Sequence, residues 1–153
     1  MNFAGEIKVT APRVAVFAKL NDPRFFASCI EGVSNLEEID ATHFNAVLET
    51  KVAYIRFKFN ISVEIAESVS PSRIVAKSEG SPMGMVGRLT STSTAELTEE
   101  NGETTISYVI EVALTGKLGS LGQPVLKSKA KELERQFAAN LKAAFAPIAA
   151  VEG

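Results

Sequence analysis

The sequence predicts a single α+β domain in which a bent antiparallel sheet of about seven strands wraps around one long C-terminal helix. Three observations support this prediction. A hydrophobic period of two covers residues 33–115, one strand-like and two short helical segments precede it, and a period of 3.6 follows Gly116. A run of strands followed by a helix is typical of α+β rather than alternating α/β folds. The 153 residues suit one domain, which we place at 1–149 with a short tail at 150–153.

The N-terminal segment predicts a strand and two short helices. Apolar and polar residues alternate over 2–10, as in a half-buried strand. Pro12 suits the first turn of a helix, because the N–H that it lacks would have no partner there. That helix should stop at Asn21-Asp22-Pro23. A second helix of roughly 24–29 should be ended by Gly32.

The middle of the chain predicts a six-strand antiparallel meander. Turn signals interrupt the alternation at Asp40, Ser70-Pro71-Ser72, Ser81-Pro82-Met83-Gly84 and Asn101-Gly102. Each strand places polar residues opposite its apolar ones. One face of the sheet should therefore be covered and the other should face water.

The last element is a predicted helix that crosses the sheet. It begins either at Leu118 with a kink or only at Gln123, because Gly119, Gly122 and Pro124 interrupt its first turns. A curved sheet cannot close tightly on a straight helix, so we expect a cavity between them. The helix presents one apolar stripe, formed by Leu118, Leu121, Val125, Leu126, Leu133, Phe137, Leu141, Ala144 and Ile148.

Composition excludes several classes of function. Sixteen basic and 18 acidic residues leave a net charge of -2, so we expect no nucleic-acid partner. One cysteine and one histidine cannot form a disulfide, a thiolate metal cage or a multi-histidine site. We therefore expect a cytoplasmic protein with no metal or cofactor. The start of the chain does not resemble a signal peptide, and the apolar segment 143–151 is too short to span a bilayer, so membrane contact should be peripheral at most.

Short motifs along the whole chain carry a family resemblance. They include Gly5-Glu6, Ala11-Pro12, Val16-Phe17, Leu20-Asn21-Asp22-Pro23, Cys29-Ile30-Glu31-Gly32, Thr105 to Tyr108, and Gly116-Lys117-Leu118 with Leu121-Gly122. At these spacings the chain resembles the G subunit family of carbon monoxide dehydrogenase (CoxG), which lies within the START, Bet v 1 and polyketide-cyclase (SRPBCC) superfamily. The resemblance implies a helix-grip fold.

The resemblance also implies a role. CoxG proteins are associated with recruiting carbon monoxide dehydrogenase to the cytoplasmic membrane and with handling a lipophilic quinone. The expectation is thus a non-catalytic module that holds an apolar small molecule or quinone. It would act beside a carbon monoxide dehydrogenase or another molybdenum hydroxylase. The oligomeric state stays open.

Candidate ligand contacts follow from the inward faces of the predicted elements. The strand predicted at 85–97 mixes flexible, small and hydroxyl-bearing residues, which leaves room for a ligand. The hydroxyl of Tyr108 needs a partner, which a ligand carbonyl, a water or a serine would supply. The turn at 81–84 and Phe25-Phe26 should together gate the entrance. The expected ligand-binding residues are Phe17, Phe25, Phe26, Leu48, Phe57, Phe59, Met83, Met85, Leu89, Ser91, Tyr108, Ile110, Leu121, Val125 and Phe137.

Two other functions remain open at this stage. One is a cyclase-like or hydratase-like enzyme in which Tyr108 or His43 acts as acid or base in the cavity. The other is an interaction protein with a filled core, which docks through the basic face of residues 117–145. The alternative to a gating role for Met83 is that it packs permanently on the core. Cys29 has apolar neighbours, so we expect a buried and unreactive thiol.

Overall fold

The computed structural model describes residues 1–52 and 54–145. Ile148, the proposed domain end at 149 and the tail 150–153 lie outside these residues. The elements are β1 (Asn2–Val9), α1 (Arg13–Leu20), α2 (Pro23–Ser28), β2 (Val33–Glu38), β3 (His43–Val52), β4 (Ile55–Val69), β5 (Arg73–Pro82), β6 (Gly87–Glu100), β7 (Glu103–Gly116), a 3-10 turn (Lys117–Leu121) and α3 (Gln123–Ala144).

The described strands form a seven-stranded antiparallel sheet in the order β1-β7-β6-β5-β4-β3-β2. Strands β2 to β7 follow one another as a meander, and β1 closes the order by pairing with β7. The predicted α+β architecture is confirmed. The helix α3 covers one face of this sheet, which we call the inner face; the opposite face is the outer face.

The apolar residues of the inner face form two separate clusters. The first cluster lies against α1 and the second half of α3, with Val16 and Leu141 fully buried. The second cluster lies at the beginning of α3 and is built on Val52, Phe57, Phe59 and Leu118. The helix therefore rests on the sheet near both of its ends.

Local geometry explains where two predicted boundaries are wrong. Pro82 continues β5 opposite Phe59, and the Met83 N–H donates to the Lys58 carbonyl at 2.8 Å, so the turn lies at 83–86 rather than 81–84. As a result β6 begins only at Gly87, and Met85 precedes it instead of starting the strand.

The start of the long helix is also resolved. Residues Lys117–Leu121 form a 3-10 turn, and Gly122 adopts a φ of 91° before α3 begins at Gln123. A positive φ strains residues that have a side chain, whereas glycine adopts it without strain. The 3-10 turn and α3 are therefore separated at Gly122. Within the described parts of the chain, no helix combines the length and hydropathy that crossing a bilayer requires.

Candidate functional site

The middle of the inner face carries small and hydroxyl-bearing side chains on β5 and β6, beside two apolar side chains on β7. Neither apolar cluster includes them, and all are half-buried although α3 covers this face. The hydroxyls of Ser78 and Ser91 are hydrogen-bonded to each other. We call this set the middle zone; its members are Ala76, Ser78, Ser91, Ser93, Ile110 and Val112.

Strand register produces the middle zone. Ala76 pairs with Ser93, and Ser78 pairs with Ser91, so the small residues of β5 lie beside those of β6. Ser93 in turn faces Ile110 on β7. Small side chains therefore occupy neighbouring positions on β5 and β6, between the larger apolar residues of the two clusters.

Tyr108 lies at the first-cluster side of the middle zone. It is the cross-strand partner of Gly5, and its ring covers that glycine so closely that an added Cβ would lie 2.5 Å from the tyrosine Oη. The Oη atom is buried and has no hydrogen-bond partner among the described residues. Burial first, and then hydrogen bonding and charge repulsion from the neighbouring Glu134 carboxylate, raise the pKa of Tyr108 well above its usual value. The phenol is therefore neutral, and within the protein Glu134 is the acceptor with which a ligand would compete for its proton.

The structure distributes the predicted ligand-binding residues over both clusters. Ser91 and Ile110 belong to the middle zone, whereas Phe26 and Met83 are exposed. Phe17, Phe25, Tyr108 and Phe137 belong to or pack against the first cluster. The second cluster includes or contacts Leu48, Phe57, Phe59, Met85, Leu89, Leu121 and Val125. Ligand contact at any of these residues stays a prediction.

The structure places the two parts of the predicted gate, Met83 and Phe25-Phe26, near different clusters. The Phe26 ring packs on Phe137 with centroids 4.9 Å apart, near the first cluster. Met83 lies in the β5–β6 turn, beside the second cluster. The two clusters contact α3 at Val125 and Phe137, about 18 Å apart along the helix. A single entrance closed by both groups stays a prediction.

Sequence reasoning missed Ala76 and Ser78 as site residues. The β5 segment is rich in polar and small residues, so its alternation is weaker than that of its neighbours. The signal was nevertheless present, since Ile74, Ala76, Ser78 and Gly80 occupy every second position and all face inward. A search for small residues at period two would have found them.

His43 lies outside the inner face. Its Nδ1 is 2.9 Å from Asp40 Oδ1, and its Nε2 is 3.2 Å from Glu64 Oε2. The hydrogen bond with Asp40, more than the nearby Glu64, raises the pKa of His43. The next residue, Phe44, is the one that points inward and is buried. His43 is therefore not placed for acid or base chemistry beneath α3.

Cys29 is buried, as predicted. Burial raises the pKa of its thiol, which lowers the thiolate fraction. Its carbonyl oxygen accepts a hydrogen bond from Asn140 Nδ2 at 2.9 Å. This residue thus joins the end of α2 to α3.

The described part of the chain has open grooves on its surface, two of which bear on the site. One, of about 530 Å³, is lined mainly by outer-face residues of β1, β6 and β7, such as Glu6, Thr94 and Val109. The other, of about 370 Å³, lies between Val52 and Val125 at the beginning of α3. Tyr108 is among the residues that line the first groove, but that groove is open to the outer face, and neither groove is bordered by Leu89 or Ser91. An enclosed cavity beneath α3 stays a prediction.

The family model for the G subunit of carbon monoxide dehydrogenase (CoxG) matches residues 5–146. The chain belongs to the CoxG family. Among curated proteins, none matches it. Gly5 and Tyr108, whose side-by-side packing is described above, both lie within the matched region of this CoxG chain.

Solved structures show the same fold. A conserved protein from Geobacillus kaustophilus has a TM-score of 0.87 at 24% identity, with 95% of each chain covered. A Chromobacterium violaceum protein, CV1439, has a TM-score of 0.71 at 17% identity, covering 95% of this chain and 97% of its own. A START superfamily protein from Mycobacterium smegmatis has a TM-score of 0.71 at 9% identity, with 94% and 96% covered. The CoxG chain therefore has the START-like helix-grip fold.

Proposed function

We propose that this protein is a non-catalytic carrier that binds an apolar small molecule, a quinone being the expected class, beneath α3. The observation that carries the proposal is the middle zone, where Ser78, Ser91 and Ser93 separate two apolar clusters. A protein with a continuous core would place large apolar side chains at these three serine positions. Membership in the CoxG family supports a place beside a carbon monoxide dehydrogenase or a related molybdenum hydroxylase.

The chemistry of the zone suits a ligand that is apolar with one or a few carbonyl oxygens. The flanking clusters supply apolar contact surface, while serine hydroxyls and the Tyr108 phenol supply donors. A buried donor without a partner costs free energy, and a ligand acceptor would remove that cost. We expect the carbonyl of the ligand to bind at Tyr108.

A filling variant tests the proposal. The change is Ser93→Leu, which places an isobutyl group in the middle zone between Ala76 and Ile110. We expect a solvatochromic apolar dye to bind the wild-type protein at micromolar concentrations and to be displaced by a short-chain quinone. Dye affinity should fall at least tenfold in Ser93→Leu, about 1.4 kcal/mol.

Thr94→Leu is the matched control. Thr94 is the next residue of β6 and points to the outer face. The Thr94→Leu substitution therefore adds the same isobutyl group on the face of the sheet that α3 does not cover. Equal dye binding in both variants would contradict the proposal. Failure of the wild-type protein to bind dye would favour the interaction protein with a filled core.

Of the two residues in the enzyme hypothesis, only Tyr108 lies on the inner face. His43 is on the outer face, and the raised pKa of Tyr108 leaves a phenol that is a poor base. Turnover of a cyclic ketone or an enoyl substrate that is lost in Tyr108→Phe would establish that hypothesis in place of the carrier.

A further inference from the structure

The two edges of the sheet differ in how they are protected from pairing with another strand. At one edge, the register of β2 with β3 shifts between Ser34 and Glu37, and Asn35, within that shift, has a positive φ of 52°. A bulge of this kind bends an edge strand away from a further partner. At the other edge, β1 keeps a continuous register with β7 over all eight of its residues and contains no proline. The β1 edge is therefore regular enough to accept a further strand.

The hydrogen bonds of Met1 show which backbone groups of β1 face away from the sheet. Its amine donates to the Val112 carbonyl and its carbonyl accepts from the Val112 N–H, both at 2.8 Å. In an antiparallel pair, positions bonded in this way alternate with positions that are not bonded to each other. Every second residue of β1 therefore directs its N–H and C=O groups toward the free edge, where no other described strand pairs with it. These residues are Asn2, Ala4, Glu6 and Lys8.

The free edge of β1 is open to contact. The four residues that direct backbone groups toward it are exposed, whereas Ile7 and Val9 are buried in the first cluster. The open groove of about 530 Å³ lies on the outer side of this edge, with Ala4 and Glu6 among its lining residues. A regular and uncovered edge strand is a template for pairing with another strand. The outward backbone groups of β1 are therefore available to another chain.

Glu6 and Lys8 give this edge a charge pattern that is complementary to itself. They are two residues apart on the outer face, and neither forms a salt bridge with a described residue. When two copies of β1 pair antiparallel about a twofold axis at Ile7, Glu6 of each copy lies opposite Lys8 of the other. An axis at Glu6 or at Lys8 would instead place like charges opposite each other, which is destabilising. The side chains thus favour one register and one partner, a second copy of β1.

We propose that two copies of this chain form a dimer by pairing their β1 strands antiparallel at Ile7, which joins the two sheets into one. The twofold axis is perpendicular to the sheet, so the outer faces of both copies lie on the same side. Glu6 of one copy and Lys8 of the other occupy a bonded position of the new ladder, and each such pair exchanges two backbone hydrogen bonds. The same pairing brings their side chains together on the outer face.

The charges around the edge do not oppose this register. The outer faces of the two neighbouring strands carry the following charged residues: Glu103 and Glu111 on β7, and Arg88, Glu96 and Glu100 on β6. Glu96 is paired with Arg73 at 2.8 Å. Lys8 of a second copy therefore meets mainly acidic neighbours. The two Glu6 side chains of the dimer are diagonal neighbours, about 7–8 Å apart, and each has a lysine directly opposite.

Charge reversal tests the inference by sedimentation velocity over a range of protein concentrations. Pairing of two strands buries less than the about 800 Å² per partner of a stable interface, so we expect a dissociation constant on the order of 10–100 μM. Glu6→Lys and Lys8→Glu should each weaken the dimer at least tenfold, because each variant places like charges opposite each other. An equimolar mixture of the two variants should nevertheless associate, since every pair in the heterodimer is then opposite in charge. The double variant Glu6→Lys/Lys8→Glu should also recover the dimer.

Lys77 and Glu79 supply the matched control. They are also exposed and two residues apart, but they lie on β5, the central strand of the sheet. Lys77→Glu and Glu79→Lys should therefore leave the monomer–dimer equilibrium unchanged. Thermal unfolding confirms that each variant is folded.

Amide hydrogen exchange measured by NMR locates the interface. The N–H groups of Glu6 and Lys8 face the free edge, so their exchange should slow as the protein concentration rises. The N–H groups of Gly5 and Ile7 already face β7 and should change little. This readout separates strand pairing from association through another surface.

Three results would overturn the inference. One is a wild-type protein that stays monomeric at concentrations well above the expected dissociation constant. Another is a dimer that Glu6→Lys and Lys8→Glu leave unchanged, and the third is a mixture of these two variants that does not associate. The inference does not depend on a bound ligand, and the dye-binding test of the carrier needs no dimer, so either proposal can fail while the other stands.

Discussion

Tyr108 and Gly5 form a pair in which each explains the other. The tyrosine ring lies over the glycine because β1 and β7 place them directly opposite, and no side chain fits between the ring and the backbone. The glycine is required for space, since its backbone is not in the left-handed region. The same contact places the Tyr108 hydroxyl in a buried position without a partner among the described residues.

Gly5→Ala should destabilise the protein by about 1–3 kcal/mol, because the new methyl group overlaps the phenol. In the Tyr108→Ala background the same change should cost much less, since the overlapping atoms are gone. Chemical denaturation of the four proteins in this double-mutant cycle gives the coupling. Equal costs in both backgrounds would show that the ring does not limit residue 5.

Tyr108→Phe should leave the stability of the ligand-free protein unchanged within about 0.5 kcal/mol, or raise it, because no hydrogen bond is lost. If a ligand carbonyl binds the hydroxyl, quinone affinity should fall by about tenfold, about 1.4 kcal/mol. Urea unfolding and dye displacement measure the two effects. A clear loss of stability would reveal a partner for the hydroxyl within the protein.

At the scale of elements, charged and polar side chains interact across the β2–β3 turn and the beginning of β3. Asp40 accepts from the Thr42 backbone N–H at 2.8 Å and lies 2.9 Å from the His43 ring. These contacts, the backbone one first, lower the pKa of Asp40 to about 2, while His43 has a raised pKa. Protonated His43 thus lies between two carboxylates at the beginning of β3.

The raised pKa of His43 predicts that the stability of the fold depends on pH. A raised pKa in the folded state means that His43 stabilises the fold fully below its unfolded pKa of about 6.5. The contribution is lost as the pH rises through the higher folded pKa. The melting temperature of wild type should therefore exceed that of His43→Gln by more at pH 5.5 than at pH 8.5. A difference that does not change with pH would contradict the prediction.

At the scale of the whole molecule, packing is concentrated at the two ends of the inner face and is sparse between them. Leu141 and Val16 anchor one end, and Leu118 anchors the other. The helix α3 bridges both clusters, so each cluster limits how far the helix can move toward the middle zone.

The carrier proposal predicts that a larger side chain affects stability differently in the middle zone and in the first cluster. Ser93→Leu should leave the stability unchanged or raise it by about 0.5–1.5 kcal/mol, because it fills space and buries apolar surface. Ala11→Leu, inside the first cluster, should cost about 1–3 kcal/mol through overpacking. Denaturant unfolding compares the two. A comparable loss for Ser93→Leu would mean that the middle zone is already filled.

Much of the fold could be predicted because it depends on local patterns. Alternation marked the strands, and turn residues such as Asn101-Gly102 marked their ends. The regular period after Gly116 marked α3. The residue at which α3 begins became clear only from the structure, because the positive φ of Gly122 ends the preceding turn. The burial of Cys29 followed from its apolar neighbours.

The sequence by itself determined the α+β class, the meander and the CoxG family, since periodicity and short motifs are properties of neighbouring residues. Only the tertiary structure decided which side chains share a place. Cross-strand register brought Ser78 beside Ser91 and Ala76 beside Ser93. Register joins residues far apart in the chain, and no local pattern encodes it.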